Sequence, residues 1–377
     1  MPSSILKIAI GILLASISAN TFSAVIQSLT VPLTFEYEDN PLFSAAANKV
    51  SESRVTVTPN YSITANKGSN QFIGGASVRI ARSSDQSISQ DRNDPSINLG
   101  WNHDYEAGQF SVNTLLNEQS TRVSELTDSG QVAGDNTRKT QSISANWLNS
   151  LSERSSLTIG GTSTDVKFDG LSIAGLVDFQ NDTINTKLAY TLSEKMGSFV
   201  QLSFSRFKAD DVNNTINDTR SINAGLTWDA SEQLNLSGSV GASETASKSD
   251  VLSSAKVNGW QGEFNLQYTT LLTSSYLTLS RRQSPGSTGS LNEANAFAVG
   301  WNYSLSEKDE FGFDYNWRQN LTLNKTLTTQ FSTQYTRQIS LLWDFRLSLG
   351  HKVIGSNLLK ASSNSIMASI IYKLPEF

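Results

Sequence analysis

A period-two alternation of apolar and polar residues, in stretches of about ten along most of the chain, limits what it can fold into more than any other feature. Such alternation describes a strand with one apolar and one wet face. Phe311, Phe313, Tyr315 and Trp317 share one phase, and Gly312, Asp314, Asn316 and Arg318 share the other. Phe297, Val299, Trp301 and Tyr303 repeat this against Ala298, Gly300 and Asn302, as do Ile222, Ala224, Leu226 and Trp228 against Asn223, Gly225 and Thr227.

The connections alternate as well. One kind is short and charged: Ser152-Glu-Arg, Ser193-Glu-Lys, Ser231-Glu-Gln, Ser306-Glu-Lys. Aromatics sit beside most of these turns, at Trp101, Trp147, Tyr190, Trp228, Tyr268, Trp301 and Trp343, and recur every 33 to 46 residues. The other kind is longer, as from Asn117 to Lys139, Val166 to Asp182 and Glu244 to Asn258. Short turns on one side and long loops on the other are the asymmetry of outer-membrane barrels, whose turns face the periplasm. The pattern gives an opening strand near Thr30 to Tyr37 and hairpins turning near Lys67, Glu106, Glu153, Glu194, Ser231, Leu272, Glu307 and Asp344. A closing strand runs from Ser365 to Leu374. The expected fold is an all-β, antiparallel up-and-down transmembrane barrel of about 18 strands. Sixteen is the alternative even count, because the opening strand is short and carries Pro32.

In hydrocarbon every backbone polar group must be paired internally, and an all-β chain achieves this only by closing on itself. After the N-terminus no run of about 18 apolar residues appears, which excludes a bundle of membrane-spanning helices. A soluble β-helix or propeller is the competing all-β reading. It would bury the apolar face in a core and leaves the recurrent aromatic beside each turn without a reason. A girdle at the membrane interface supplies one. The first residues, with Lys7, an apolar run from Ile8 to about Ala19 and small residues up to Ala24, have the pattern of a secretory signal peptide. The expected organisation is therefore a signal peptide over 1–24 and an outer-membrane barrel over 25–377.

With the aromatic phase facing lipid, the other phase lines the lumen. Candidate lining residues are Arg79, Asp104, Lys187, Gln261, Glu263, Gln267, Arg282, Asp314, Asn316, Arg318, Arg346 and Lys352. Amides, hydroxyls and charges of both signs dominate, and the large aromatics fall mostly on the lipid phase, so no lumenal aromatic track for sugar rings is evident. The loop carrying Phe168, Leu171, Ile173, Leu176 and Phe179 is apolar between polar strands. It is a candidate constriction folded into the lumen, or a cap packed on the loops above. Arg337 and His351 break the alternation by falling on the apolar phase; for Arg337 this implies a bulge or a place near the rim.

The sequence has no cysteine, which removes disulfides, thiol catalysis and thiolate metal sites. No nucleophile elbow, paired-histidine zinc motif or phosphate-cradling glycine loop appears, and the two histidines, His103 and His351, lack a recognisable serine motif. No enzyme activity, cofactor or metal is expected. The net charge of -5 is mild and spread out, which argues against a nucleic-acid partner. Outer-membrane lipid is the expected surrounding.

Three segments carry a family resemblance: Phe35-Glu-Tyr-Glu-Asp-Asn-Pro41, Arg54-Val-Thr-Val-Thr-Pro59, and Thr137 to Trp147 running on into Leu151-Ser-Glu-Arg-Ser-Ser-Leu157. Together they resemble the outer-membrane β-barrel proteins associated with exopolysaccharide biosynthesis and exosortase gene clusters. The resemblance implies either a porin-like exit for an extracellular polysaccharide, with periplasmic export components as partners, or an envelope barrel of the same cluster whose role is unassigned. The end of the chain departs from the usual barrel ending, because Pro375 interrupts the alternation before Phe377. Two other functions remain open: a general diffusion porin for small solutes, and a plugged barrel acting as a surface scaffold or adhesin.

Overall fold

The structure, a computed structural model, describes residues 24–44, 48–128, 134–169, 175–250, 255–321, 325–355 and 360–374. The expected signal peptide up to residue 23, Leu171 and Ile173 of the candidate constriction, and Pro375 to Phe377 lie outside the described residues.

The strands are β1 (Ala24–Glu38), β2 (Glu52–Val57), β3 (Asn60–Lys67), β4 (Asn70–Ser83), β5 (Arg92–Tyr105), β6 (Gly108–Ser120), β7 (Thr137–Ser152), β8 (Ser155–Asp169), β9 (Phe179–Ser193) and β10 (Met196–Ala209). They continue as β11 (Ile216–Asp229), β12 (Leu234–Lys248), β13 (Ala255–Thr269), β14 (Thr273–Pro285), β15 (Leu291–Ser304), β16 (Asp309–Asn320), β17 (Leu327–Gln338), β18 (Trp343–Gly355) and β19 (Lys360–Leu374). One helix, α1 (Thr121–Asp128), follows β6. Each strand pairs antiparallel with its sequence neighbour, and β1 pairs with β19 from Leu29↔Leu374 to Glu38↔Ser365, which closes the cylinder. β2 and β3 are one stave broken at Pro59, which has no N–H to give the ladder. Both keep the same register against β1, and Thr58 N–H donates to the Pro32 carbonyl at 3.0 Å across the break. The barrel therefore has 18 staves. The Pro32 strand joins the ladder in full and runs over 24–38 rather than 30–37, and the closing strand begins at Lys360 rather than Ser365.

Eight short turns lie on one side, and seven fall where the sequence places them. The eighth spans residues 339–342, just before Asp344, which is the second residue of β18. A recurrent hydroxyl explains these turns. Ser152, Ser193, Ser231, Ser306 and Ser340 each accept a backbone N–H from two residues on, at 3.1–3.4 Å. This side-chain mimic of a turn bond fixes the hairpin without glycine. The connections on the other side are shorter than the alternation suggests, because the ladder continues past the apolar belt. Residues 121–136, 170–178 and 249–254 connect strands that reach Ser120, Asp169 and Lys248. A tilted strand crosses the hydrocarbon in about ten residues. Strands of 12 to 16 residues, such as β16 and β7, therefore stand well clear of it at their outer ends.

Val166, Phe179, Phe207 and Ala209 are almost fully inaccessible, and in a single-walled barrel such burial exists only inside. Val166 and Ala209 both pair with Phe179, so these residues define the inner face, and the alternation carries that face down every strand. The outer face then holds Leu188, Leu202, Ile222, Val240 and Trp260, all half exposed. An apolar outer belt on a closed barrel is the arrangement that crosses an outer membrane. The seven girdle aromatics all lie on this outer face beside the short turns, where Trp343 meets Tyr372 with ring centroids 5.0 Å apart.

Candidate functional site: the outer end of the lumen

The register places all twelve candidate lining residues on the inner face. Gln261, Asn223, Gln201 and Lys187 form one row across β13 to β9, and Gln267, Tyr276, Gly300 and Asp314 form another across β13 to β16. Arg79 faces Asp94 at 3.6 Å, and Asp104 accepts from Gln109 Nε2 at 2.7 Å. Phe199 and Tyr276 also stand on this face, among the minority of aromatics outside the lipid phase. Phe199 lies under the Lys187 ammonium, 4.2 Å from the ring centroid, and Tyr276 donates its hydroxyl to Asp314 at 2.9 Å. Each ring lies over a glycine. A Cβ on Gly225 would come within 2.4 Å of Phe199 Cζ, and one on Gly300 within 2.1 Å of Tyr276 Cε1.

The two misfit residues both sit at rims. Arg337 is at the turn side, 3.4 Å from Asp309, in an unbroken register that has no bulge. His351 is at the outer end of β18, where its Nδ1 is 2.7 Å from Asn364 Oδ1. Asn364 in turn donates its backbone and side-chain N–H groups to the two Asp39 oxygens at 2.7 Å each, tying the seam between β1 and β19. Partial burial pushes the Asp39 carboxyl up, but these hydrogen bonds and the nearby charges of Lys49 and His351 outweigh it and hold it below the ordinary value. His103 sits at the turn side beside Trp101, sharing Asn70 Oδ1 with it at 3.0 and 3.1 Å.

Buried charge gathers at the outer end of the lumen. At eight residues α1 is too short to persist alone, so its surroundings hold it. Ser120 Oγ accepts the Arg122 N–H at its start, and two ion pairs pin it to the wall. Arg122 reaches Glu52 of β2 at 3.1 Å, and Glu125 lies 3.6 Å from Arg138 of β7. Glu52 also accepts the Ser83 and Ser89 hydroxyls at 2.6 and 2.9 Å, and Glu125 accepts that of Ser287. Glu52 and Glu125 are 3% and 1% exposed, so both charges depend on these partners. Beside them Arg92 joins Asp94 at 2.9 Å, Asp135 at 3.4 Å and the Asn136 carbonyl at 3.0 Å, anchoring the return from α1 to β7.

An apolar cluster on the neighbouring sector holds the candidate constriction loop. Phe168, Val177 and Leu291 pack on Val166, Phe179, Phe207 and Ala209, with Phe179 and Phe207 ring centroids 5.3 Å apart. Leu176 is half-buried beside Val177. Val177 N–H donates to the Ser287 carbonyl at 2.7 Å, so one residue of the β14–β15 connection touches both this loop and α1. Phe168 and Phe179 therefore point inward. Contacts from β2, from β7 to β10 and from β14–β15 meet across the outer mouth. Neither alternation nor spacing marks Glu52, Arg122, Glu125 or Ser287 as site residues.

No family profile matches the sequence, and no curated protein matches it. Solved structures do. Pseudomonas aeruginosa OpdQ aligns at a TM-score of 0.53 and 12% identity, over 95% of this chain and 100% of that one. OpdK of the same organism, solved with vanillate, aligns at 0.52 and 11% over 95% and 100%, and OpdO at 0.53 and 10% over 94% and 99%. The fold is that of outer-membrane porins. At such identities the likeness is one of fold, and it agrees with the placement that the apolar belt requires.

Proposed function

We propose that this barrel is a passive channel for small polar solutes, narrowed at its outer mouth by α1 and the β8–β9 and β14–β15 connections. The observation that carries this reading is the bridge through Ser287, which joins structures rooted in distant sectors of an otherwise polar cylinder. Barrels of 16 to 18 strands enclose a water-filled path unless something fills it. Inward segments held by ion pairs make such a path selective by size. Opposite charges are largely paired along the lumen wall near its outer end, as in Arg54–Glu36 and Arg79–Asp94, so size and hydrogen bonding outweigh net charge in selecting what passes. The vanillate in OpdK is a solute of the size this reading calls for. Polysaccharide export rests on the segment resemblance and the amide-rich lumen, and a polymer would have to thread past the Ser287 bridge. Liposome swelling with a series of sugars tests the reading. Rates should fall steeply from mono- to trisaccharide. Flat, negligible swelling for every sugar would sink it and favour the scaffold reading, while polysaccharide entering faster than small sugars would revive the export channel.

A further inference from the structure

The outer face of β10 to β13 carries a concentration of cations that the channel reading does not use. On these strands the outward-facing charges among the described residues are Arg206, Lys208, Arg220, Lys248 and Lys256, against the carboxylates of Asp218 and Glu244. They stand together: Lys208 and Lys248 flank Ile216 in one row, Arg206, Asp218, Ala246 and Lys256 form the next, and Arg220 and Glu244 face each other in the third. Two of the cations are satisfied within the patch. Arg206 holds Asp218 at 2.7 Å, and Lys256 lies 3.3 Å from Glu244. Among the described residues, Lys208, Arg220 and Lys248 have no carboxylate within ion-pair distance.

Their height on the barrel says what could neutralise them. Arg220 and Arg206 are one outward step beyond Ile222 and Phe204, and Lys256 is two steps beyond Trp260; these three apolar residues end the continuous apolar belt on their strands. An outward step is two residues, or about 7 Å along a strand. The patch thus lies in the headgroup layer of the outer leaflet rather than in bulk water or hydrocarbon. The other side of the barrel differs. Within strands β16 to β19, Lys360 is the single lysine or arginine facing outward at the outer end among the described residues. Elsewhere the outward cations Arg82, Lys139, Lys167 and Arg281 each have a carboxylate partner, in Asp91, Asp169, Asp165 and Glu293. Cations without such a partner, gathered on one sector at headgroup height, complement a phosphate-bearing lipid.

We propose that the outer ends of β10 to β13 bind a phosphorylated lipid of the outer leaflet, with Lys208, Arg220 and Lys248 contacting its phosphates and Leu202, Ile222 and Trp260 its acyl chains. Arg206 and Lys256, locked to Asp218 and Glu244, hold the patch in shape.

The test is lipid retention. The protein is refolded in phosphatidylcholine vesicles doped with bisphosphorylated lipid A, extracted in mild detergent, and examined by native mass spectrometry. Wild type should keep lipid A in preference to its dephosphorylated form. At about 1 kcal/mol per basic residue near a headgroup, the triple change Lys208→Gln, Arg220→Gln and Lys248→Gln should lower affinity roughly 100-fold. Lys360→Gln on the far side should leave retention unchanged, and conductance should be the same in all three proteins. Equal retention by wild type and triple variant, equal retention of dephosphorylated lipid, or displacement by inorganic phosphate alone would each overturn the proposal. So would lipid-independent pairing of two barrels through this face.

Discussion

At the periplasmic end the barrel wall closes into turns of two to four residues, most of them tied by their own hydroxyl, and the contacts there run between neighbouring strands. At the outer end the chain bends inward, and the constraints join residues far apart in sequence: Arg122 to Glu52 across 70 positions, and Ser287 to Glu125 across 162. The first end is specified strand by strand, so its geometry should survive single changes. The second is a network of buried charges in which one removal strands a partner. The same sheet is thus a rigid frame below and a set of releasable inward segments above. If that contrast is right, substitutions at the two ends should differ in kind as well as in size.

The largest effect should come from Glu52→Ala. It leaves the Arg122 guanidinium, 6% exposed, without its counter-charge, at a cost of about 3–5 kcal/mol. The cost should appear as release of α1 from the wall rather than unfolding of the barrel. Amide exchange within 121–128 should speed up while the strands stay protected, and Glu52→Ala with Arg122→Ala should restore part of the protection. Exchange spreading evenly through the sheet would break the comparison. Phe207→Ala comes next, removing the centre of the apolar cluster for about 3–4 kcal/mol of local stability. Protease cleavage near Val177 should increase, with no matching change at the periplasmic turns.

A smaller effect is expected from Gly300→Val. Its Cβ would displace the Tyr276 ring and break the bond to Asp314, worth about 1 kcal/mol. A small fall in unfolding temperature with unchanged α1 exchange would sharpen the division between wall and mouth. The smallest effect concerns acid. Because the Asp39 carboxyl is held below its ordinary value of about 4, its contribution to the β1–β19 seam is present above that value. It should be lost as pH falls further through the folded value. Amide exchange at Asn364 should therefore rise only below about pH 4, and Asp39→Asn should abolish that dependence.

How much of this was legible in the sequence follows the same division. The stave count, the girdle from Trp101 to Trp343 and seven of eight turns are set by alternation and by single residues at fixed spacing, and these are local signals. Strand ends were misjudged because apolar alternation stops at the edge of the lipid while backbone pairing continues through polar residues such as Arg206 and Lys248. The two lumenal aromatics did leave a trace. Phe199 faces Gly225 and Tyr276 faces Gly300, so an aromatic on the polar phase opposite a glycine marks a ring laid against the wall. The mouth left none, since nothing near Glu125 signals that Ser287 will meet it. The segment resemblance suggested an exit for polymer, and the inward segments that bear on that reading lie at the mouth, where the sequence pattern is silent.

Single-channel recording in planar bilayers, comparing wild type with Glu52→Ala, tests the central claim most directly. Wild type should give steady openings of one size, and the variant larger and noisier ones as α1 leaves the lumen. Currents identical in the two proteins, or a wild-type barrel that carries no current while the variant stays equally silent, would contradict the account.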